Sequence, residues 1–367
     1  MAPVSTELEQ RLIERIKREG PITFRDFMQT ALYDPELGYY NTERLKIGAD
    51  GDYYTSSNVH PAFGAVLARS FVELWDEHPL TLVEIGAGTG QLASDVLSAM
   101  RSEHPAIFEG LIYVLVEASP AMRKRQQEKL STFKDHIRWC EFEELERGPV
   151  NGIVFSNEFV DSLPVHRARS RSGALQELYV ATASATDAVR LALLWGKPST
   201  KRLREYLEYI ERIGVTLREG QIIEINLDVI DWLARIARAL QRGLLITIDY
   251  GDTAQHMYAQ DRELGTLRSF YRHRLIDSPL ERIGEQDITA SVNFSTLIEY
   301  GRDFQLETVS YERQTAFLIR MGLIERIAGR DKSGADEDLK NRLALKNLFV
   351  PGGVSDNFRV LIQRKAF

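Results

Sequence analysis

The sequence predicts an α/β fold built on a mostly parallel sheet, and two observations support this prediction. An apolar run, TLVEI at 81–85, ends in three alternate glycines and gives way to apolar residues at helical spacing. Further apolar runs at 111–116, 137–140, 152–156 and 244–249 alternate with helical patterns. Such alternation implies parallel strands joined by right-handed crossovers. The carboxyl ends of these strands share one edge of the sheet, where we expect a ligand to bind.

Helical and strand patterns also flank the predicted sheet. Apolar residues at helical spacing predict helices before it at 5–18, 22–32 and 61–75. Two alternating apolar segments within 175–194 then predict a hairpin that interrupts the strand and helix alternation. The remaining predicted elements are helices at 201–213 and 227–240 around a strand, helices near 295–302, 315–321 and 336–348, and a last strand at 358–363.

These elements predict a core with one extension and one insertion. We expect residues 1–78 to form N-terminal helices and a covering loop, and residues 175–242 to form an inserted lobe of a hairpin and helices. Residues 79–174 and 243–367 then form the core. Within the extension, residues 38–57 lack helical or strand periodicity, and long irregular segments of this kind are often functional.

The composition favours a globular protein of the cytoplasm. Apolar residues make up 44% of the chain and charged residues 27%, and the formal net charge is −7. No basic excess indicates nucleic-acid binding, and no uncharged run approaches the length that spans a membrane. Cys140 is the single cysteine, which excludes an intramolecular disulfide and a cysteine-based zinc site. The first twenty residues contain four glutamates and no long apolar core, unlike a secretory or transit peptide.

The glycine turn after the first strand predicts a nucleoside cofactor. Its glycines, Gly86, Gly88 and Gly90, follow the spacing GxGxG, and Gln91 stands where the dinucleotide fingerprint GxGxxG has its last glycine. This difference favours S-adenosylmethionine, which has no pyrophosphate, over a nicotinamide cofactor. Glycine turns between a strand and a helix also occur without ligands, so the turn alone leaves both interpretations open.

Polar residues at the ends of the other strands strengthen the cofactor prediction. Glu84 lies beside the glycines, and Glu117 ends the next strand, where a carboxylate can accept both ribose hydroxyls. Asn157 and Glu158 end the fourth strand, and Asp249 ends the fifth. We therefore predict a cofactor site at this edge.

Other chemistries find little support in the sequence. His60, His166 and His273 are scattered singly, and no pair of histidines has the spacing of a metal site, so we expect no metal. The chain contains neither GxSxG nor GxxxxGK[ST], which argues against a serine hydrolase and a nucleoside triphosphatase.

Five segments occur in a family-specific order: FRDFMQTALYDPELGYY (24–40), GDYYTSSNVHPAFG (51–64), VEIGAGTG (83–90), SNEFVDSLPVHR (156–167) and GTLRSFYRHRLIDSPLERIGEQDITASVNF (265–294). Together they resemble the motifs of the MidA family. These proteins are class I S-adenosylmethionine-dependent methyltransferases, and they include an arginine methyltransferase that assists assembly of mitochondrial complex I. The resemblance covers nearly the whole chain.

The resemblance implies a Rossmann-like sheet of seven strands, with the last strand, 358–363, at its antiparallel edge. It also implies that Tyr40, Asp52 and Thr55 fold over the bound S-adenosylmethionine, and that residues 175–226 form a smaller lobe over the substrate mouth. The acceptor is expected to be an arginine of a partner protein, with a respiratory-complex subunit as one option. This chain departs from the family at 57–60, where Ser-Asn-Val-His replaces a segment containing a carboxylate. This departure bears on substrate identity.

Carboxylates are the expected catalytic groups for an arginine acceptor, because they pair with a guanidinium in a forked geometry. Glu158 and Asp161 are the first candidates, since a helical turn beginning at Phe159 would turn both toward one cleft. Carboxylates at a strand end can also be solvated or cap a helix. Asp287 and His273, in the last family segment, are secondary candidates.

Two other functions remain compatible with these residues. A methyltransferase for a small molecule would share every feature up to Glu117. A catalytically weak assembly factor would bind S-adenosylmethionine without transferring its methyl group. A homodimer is compatible with all three functions.

Overall fold

The computed structural model describes residues 6–42, 60–185, 188–328 and 357–365. The helices in chain order are α1 (Glu7–Glu19), α2 (Phe24–Tyr33), α3 (Ala62–Leu74), α4 (Gln91–Glu103), α5 (Pro105–Gly110), α6 (Pro120–Lys129), α7 (Phe142–Leu145), α8 (Arg202–Arg212), α9 (Leu227–Ala239), α10 (Ala254–Met257), α11 (Phe294–Asp303), α12 (Gln314–Arg320) and α13 (Leu323–Ala328). None of these described helices is both long and apolar enough to cross a bilayer.

The strands in chain order are β1 (Ile22–Thr23), β2 (Thr81–Ile85), β3 (Ile112–Val116), β4 (Ile137–Cys140), β5 (Val150–Asn157), β6 (His166–Arg171), β7 (Ala174–Ala185), β8 (Ala188–Gly196), β9 (Ile222–Ile225), β10 (Leu240–Asp252), β11 (Arg268–Tyr271), β12 (Arg274–Ile276), β13 (Asp287–Thr289), β14 (Val292–Asn293), β15 (Leu306–Arg313) and β16 (Phe358–Lys365). They form three sheets.

The largest sheet confirms the predicted α/β fold. Its strand order is β15-β16-β10-β5-β2-β3-β4, and the short β14 pairs with the end of β10. The strands from β10 to β4 are mutually parallel. The strand order reverses between β2 and β5, which are neighbours. Ligands of such sheets bind beyond the carboxyl ends of the strands at this switch point.

Helices cover both faces of this sheet, which explains why its strands are continuous apolar runs. On one face, Leu82 and Phe155 belong to a core shared with Phe71 of α3. On the other face, Val83 belongs to a second core that includes Leu233 of α9. Successive residues of a strand point to opposite faces, so both alternating sets must be apolar.

The prediction that the last strand forms the edge of this sheet is wrong. Strand β16 is antiparallel, as expected, but it lies between β10 and β15, and β15 forms the edge. Residues 306–313, LETVSYER, escaped prediction because only Leu306 of this strand is buried. An edge strand with little buried surface has no continuous apolar run.

The inserted lobe contains a second sheet, with the order β1-β7-β6-β9 and with β8 paired to β7. This sheet extends beyond the predicted insertion, 175–242, because it includes β6 and the N-terminal β1. Residues 22–23 had been predicted as helix; instead Thr23 caps α2 by accepting the N–H of Asp26 at 3.0 Å. The division of the chain into domains stays a prediction.

The polar segment 251–294 is more ordered than its sequence indicates. It contains the three-stranded sheet β12-β11-β13, whose strands are only three or four residues long. Residue Asp287 lies in β13, opposite Phe270 of β11. The helix predicted near 336–348 lies outside the described residues.

One carboxyl group is buried in the core of the main sheet. The side chain of Glu84 in β2 is 2% exposed and accepts a hydrogen bond from the hydroxyl of Tyr113 in β3 at 2.6 Å. Burial raises the pKa of Glu84 to about 7. The folded protein therefore keeps this side chain protonated up to a higher pH than an exposed glutamate.

Replacing Gly243 by Ala should strongly destabilise the fold. Gly243 of β10 and Gly152 of β5 are register partners, and a Cβ on Gly243 would overlap the carbonyl of Gly152. Since its φ of 143° is also unfavourable for Ala, we expect a loss of roughly 2 kcal/mol or more in urea unfolding. Gly148→Ala, where a Cβ would meet no atom within 4 Å, is the control. Equal losses in both variants would contradict the close approach of the two strands.

Replacing Glu84 by Gln should make the fold less sensitive to rising pH. The folded-state pKa of about 7 lies above the ordinary 4.5, so Glu84 weakens the fold progressively as pH rises from 4.5 to 7. Gln stays neutral and still accepts from Tyr113. Relative to Glu84→Gln, the wild-type free energy of unfolding should fall by about 3 kcal/mol across this range. Urea unfolding at several pH values measures the difference, with the exposed Glu128→Gln as control. Parallel curves for wild type and Glu84→Gln would contradict the raised pKa.

Candidate cofactor and acceptor site

The glycine turn lies at the switch point and packs directly against the loop that follows β5. Gly86 has a φ of 72°, and a Cβ at this position would lie 2.6 Å from a ring carbon of Phe159. Gly88 and Gly90 also have positive φ, and α4 begins at the next residue, Gln91. Three of the five residues of the turn thus have no side chain, and the turn ends at the amide groups of a helix N-terminus.

Glu117 ends β3 and is held beside this turn. Its Oε1 accepts the N–H of Ser119 at 2.9 Å, and its Oε2 accepts the amide of Gln126 at 3.0 Å. Gln126 also donates to the carbonyl of Gly88 at 2.8 Å and accepts from the indole of Trp139 at 3.0 Å. The pKa of Glu117 is raised by burial, while the hydrogen bonds from Ser119 and Gln126 oppose the change.

Gln126 is a residue that sequence reasoning missed. It is fully buried although its helix, PAMRKRQQEK, is polar throughout and has almost no apolar face. Its place four residues after the buried Met122 and four before the buried Leu130 is the one signal that separates it from the exposed Gln127. Glu84, by contrast, was predicted as a cofactor residue, but its carboxyl group bonds to Tyr113 inside the core.

The loop after β5 carries the predicted catalytic carboxylates. Asn157 donates to Glu158 Oε1 at 3.2 Å, and Glu158 adopts a left-handed φ of 52°. The short 3₁₀ turn Val160–Ser162 then buries Asp161, which is 7% exposed. The fully buried Asp249 of β10 accepts the backbone N–H groups of Phe159, Val160 and Asp161.

Asp161 lies in an acidic cluster, which we define as Glu158, Asp161, Asp249 and Asp287. Burial raises the pKa of Asp161 well above its usual range, and the other three carboxylates raise it further. Burial also raises the pKa of Asp249 to about 8, with Glu158 adding to the shift and backbone hydrogen bonds opposing it. Among the described residues, no three His, Cys, Asp or Glu side chains are placed to hold a metal ion. A cationic ligand in this cluster would lower these pKa values and favour the ionised carboxylates.

Two tyrosines of the N-terminal extension reach this cluster. The hydroxyl of Tyr40 donates to Asp287 Oδ1 at 2.9 Å, and the hydroxyl of Tyr33 donates to the carbonyl of Ser162 at 3.1 Å. Their ring centroids are 5.3 Å apart. The backbone carbonyl of Tyr40 also accepts from Ser119, which neighbours Glu117 along the chain. Tyr40 therefore connects the cofactor side of the site with the acidic cluster.

The other predicted residues are placed less centrally or lie outside the described chain. His273 is exposed in the turn between β11 and β12, with a φ of 60°, three residues beyond Phe270, the register partner of Asp287. Asp52 and Thr55, predicted to cover the cofactor, lie outside the described residues, as do positions 57–59 of the segment that departs from the family.

The residues present fit an S-adenosylmethionine cofactor. Three positive-φ glycines lead the backbone of the turn to the N-terminal amides of α4 at the switch point. Each oxygen of Glu117 accepts one N–H and keeps a lone pair for a ribose hydroxyl. Among the described residues, Asn157 Oδ1 is buried without a hydrogen-bond partner, and a donor on the ligand would satisfy it.

Comparison with known proteins agrees with this geometry. Residues 66–311 match the family described as "putative S-adenosyl-L-methionine-dependent methyltransferase". Similar curated proteins include the protein arginine methyltransferase NDUFAF7 of Danio rerio, named as mitochondrial, which is 27% identical over 88% of this chain and 78% of that protein. The Homo sapiens protein of the same name is 27% identical over 88% of this chain and 75% of that protein.

Similar solved structures include a Burkholderia thailandensis protein bound to S-adenosyl-homocysteine. It is 28% identical, with a TM-score of 0.89 over 99% of this chain and 95% of that chain. A native structure from the same species is 27% identical, with a TM-score of 0.85 and the same coverage. These matches confirm the resemblance and the cofactor predicted from the sequence. Because the family match spans more than half of its length, the chain belongs to this family of S-adenosyl-L-methionine-dependent methyltransferases.

Proposed function

We propose that this methyltransferase transfers methyl groups to an arginine side chain of a partner protein. The similar proteins from Danio rerio and Homo sapiens are named protein arginine methyltransferases, which supports this acceptor. The observation that carries the proposal is the acidic cluster, and above all Asp161. It is almost fully buried and forms no ion pair with any cation among the described residues.

A buried carboxylate without a cationic partner is unfavourable, and a guanidinium that enters the cluster would relieve this cost. The pKa of Asp161 is raised because its burial and the neighbouring carboxylates disfavour its ionised form. A bound cation would lower this pKa and favour the ionised form. The planar fork of an arginine matches carboxylate geometry better than a lysine ammonium does. Arginine is therefore the side chain that this cluster suits best.

The cofactor supplies an electrophilic methyl group on its sulfonium sulfur. Gly86, Gly88 and Gly90 would hold it at the switch point, with Glu117 on the ribose and Asn157 nearby. These residues orient one reactant, and Glu158 and Asp161 of the acidic cluster orient the other, so that the reacting atoms meet in line. No further covalent help from the protein is required.

Glu158 and Asp161 have the proposed role of holding the guanidinium and localising its charge away from the attacking nitrogen. Tyrosine hydroxyls border this cluster and remain protonated donors, because burial raises the pKa of Tyr33 and of Tyr250. The hydroxyl of Tyr250 donates to Thr289 in β13 at 2.7 Å. His273 is exposed, and its catalytic role stays a prediction.

We also keep three broader predictions as proposals. The acceptor belongs to a protein, with a respiratory-complex subunit as one option; the chain acts in the cytoplasm; and it can form a homodimer. The named relatives are mitochondrial, which applies to those proteins.

Replacing Asp161 by Asn or Glu158 by Gln should abolish transfer while cofactor binding is retained. Each change removes a charge that the acceptor needs, so we expect transfer to fall about 100-fold or more, as for loss of one preorganised electrostatic group. Calorimetric titration with S-adenosyl-homocysteine should give affinities within about threefold of wild type, which is less than 1 kcal/mol. The assay incubates methyl-labelled cofactor with an extract of cells lacking the protein, and mass spectrometry then locates methylarginine.

The exposed Glu128→Gln is the matched control, since it removes one glutamate charge from the surface. Label in small molecules instead of protein would support a small-molecule methyltransferase. Cofactor binding without any labelled product would support a catalytically weak assembly factor. Loss of cofactor affinity as severe as the loss of transfer would place the changed residue on the cofactor.

A further inference from the structure

Asp249 is a fully buried carboxylate in the site that has no role in the proposed chemistry. Its Oδ2 accepts three successive backbone N–H groups, from Phe159 at 3.2 Å, Val160 at 2.9 Å and Asp161 at 3.3 Å. Its Oδ1 accepts the N–H of Tyr250 at 2.9 Å. Both oxygens are thus engaged with backbone groups of the protein, and Asp249 has no ion pair with a cation among the described residues.

The chain must turn sharply to bring these three N–H groups together. The ladder between β5 and β10 ends at the register pair Asn157 and Ile248, and the N–H of Glu158 still donates to the carbonyl of Ile248 at 2.9 Å. Glu158 then adopts its left-handed φ of 52°, which is unfavourable for a residue other than glycine. Successive N–H groups after such a turn form a concave nest for an anion, and the Asp249 carboxylate occupies it.

The segment held in this way touches both halves of the site. The ring of Phe159 packs against Gly86 in the cofactor turn. Two residues later, Asp161 contributes the buried carboxylate that we assign to the acceptor, and its carbonyl accepts the N–H of Ala290 beside β13. The position of this short segment therefore determines how far the acceptor carboxylate lies from the cofactor turn.

We propose that Asp249 is a positioning residue, which fixes the 159–161 backbone and thereby sets the spacing between the cofactor turn and the acceptor carboxylate. The part that concerns the acceptor rests on the proposed function. Asp249 itself touches neither reactant. A small misplacement of a reacting group lowers the rate by a large factor. Asp249 therefore affects methyl transfer indirectly, by fixing the position of Asp161.

A hydrogen-bonding role and a packing role predict different rankings of variants. Asn at position 249 can still accept the three N–H groups with its one oxygen, but its NH₂ group would face the N–H of Tyr250, where an acceptor is needed. Leu fills similar space and accepts nothing. If Asp249 acts by positioning, amide protection at 159–161 decreases in the order wild type, Asp249→Asn, Asp249→Leu. If Asp249 acts by packing, protection in Asp249→Leu equals or exceeds that in Asp249→Asn.

The first measurement needs no variant. Residue-resolved hydrogen exchange of the wild-type protein should show the amides of Phe159, Val160 and Asp161 protected at least about tenfold more than the amides of exposed turns. If these three amides exchange as fast as exposed turns, the proposal is overturned. Fast exchange at these three amides would refute the positioning role even if a variant fails to fold.

The second measurement compares Asp249→Asn and Asp249→Leu with Ile246→Val, a core change on the same strand that alters packing without touching the loop. Protection at 159–161 should fall in the order stated above, by about tenfold or more in Asp249→Leu, while Ile246→Val keeps wild-type protection there. Transfer in the labelled extract should fall about 100-fold in Asp249→Leu, while affinity for S-adenosyl-homocysteine changes about fivefold or less.

Failure of this proposal and failure of the proposed function give different results. Exchange and S-adenosyl-homocysteine binding need no acceptor, so the expected protection pattern without any methylarginine would refute the arginine acceptor and leave the positioning role of Asp249 intact. Wild-type protection in Asp249→Leu, or equal losses in Asp249→Leu and Ile246→Val, would refute the positioning role whatever the acceptor.

Discussion

The hydrogen bonds from the 159–161 backbone to the Asp249 carboxylate are the interaction on which both halves of the site depend. They come directly after the last register pair of β5 and β10, so the parallel ladder brings donor and acceptor to the same level of the sheet. The ladder itself cannot continue, because the chain reverses at Glu158. A side-chain carboxylate replaces the missing strand partner for three backbone groups, which would otherwise be buried without acceptors.

The buried carboxyl groups of the acidic cluster destabilise the fold near its site. Asp161 and Asp249 are almost fully buried, and burial raises the pKa of each because negative charge is unfavourable there. A core of apolar residues would be more stable, but it would offer nothing to a cation. Strained or electrostatically unfavourable arrangements persist at functional sites because the surrounding structure holds them in place. Here the surroundings are the two sheets and the tyrosines of the N-terminal extension.

Much of the main sheet and the strand-end residues could be predicted from sequence, because buried parallel strands produce continuous apolar runs and their carboxyl ends share an edge. Glu117, Asn157 and Asp249 were placed correctly at that edge by this rule alone. Strand β15 was missed because it is mostly exposed, and Gln126 because a polar side chain is not expected on the narrow buried face that it shares with Met122 and Leu130. The contact between Tyr40 and Asp287 joins residues 247 positions apart, and such a pairing follows only from the complete fold.

Two tryptophan side chains contact the site, so their fluorescence depends on its surroundings. Trp139 donates its N–H to Gln126, which is bonded in turn to the glycine turn and to Glu117. Trp232 lies on the other side, with its ring centroid 5.8 Å from that of Phe159. One of these chromophores therefore senses polarity changes where a nucleoside docks, and the other senses movement of the loop beside the acceptor carboxylates. The chain also contains Trp75 and Trp195, so variants that keep only Trp139 or only Trp232 would give a separate signal from each half of the site, without an attached dye.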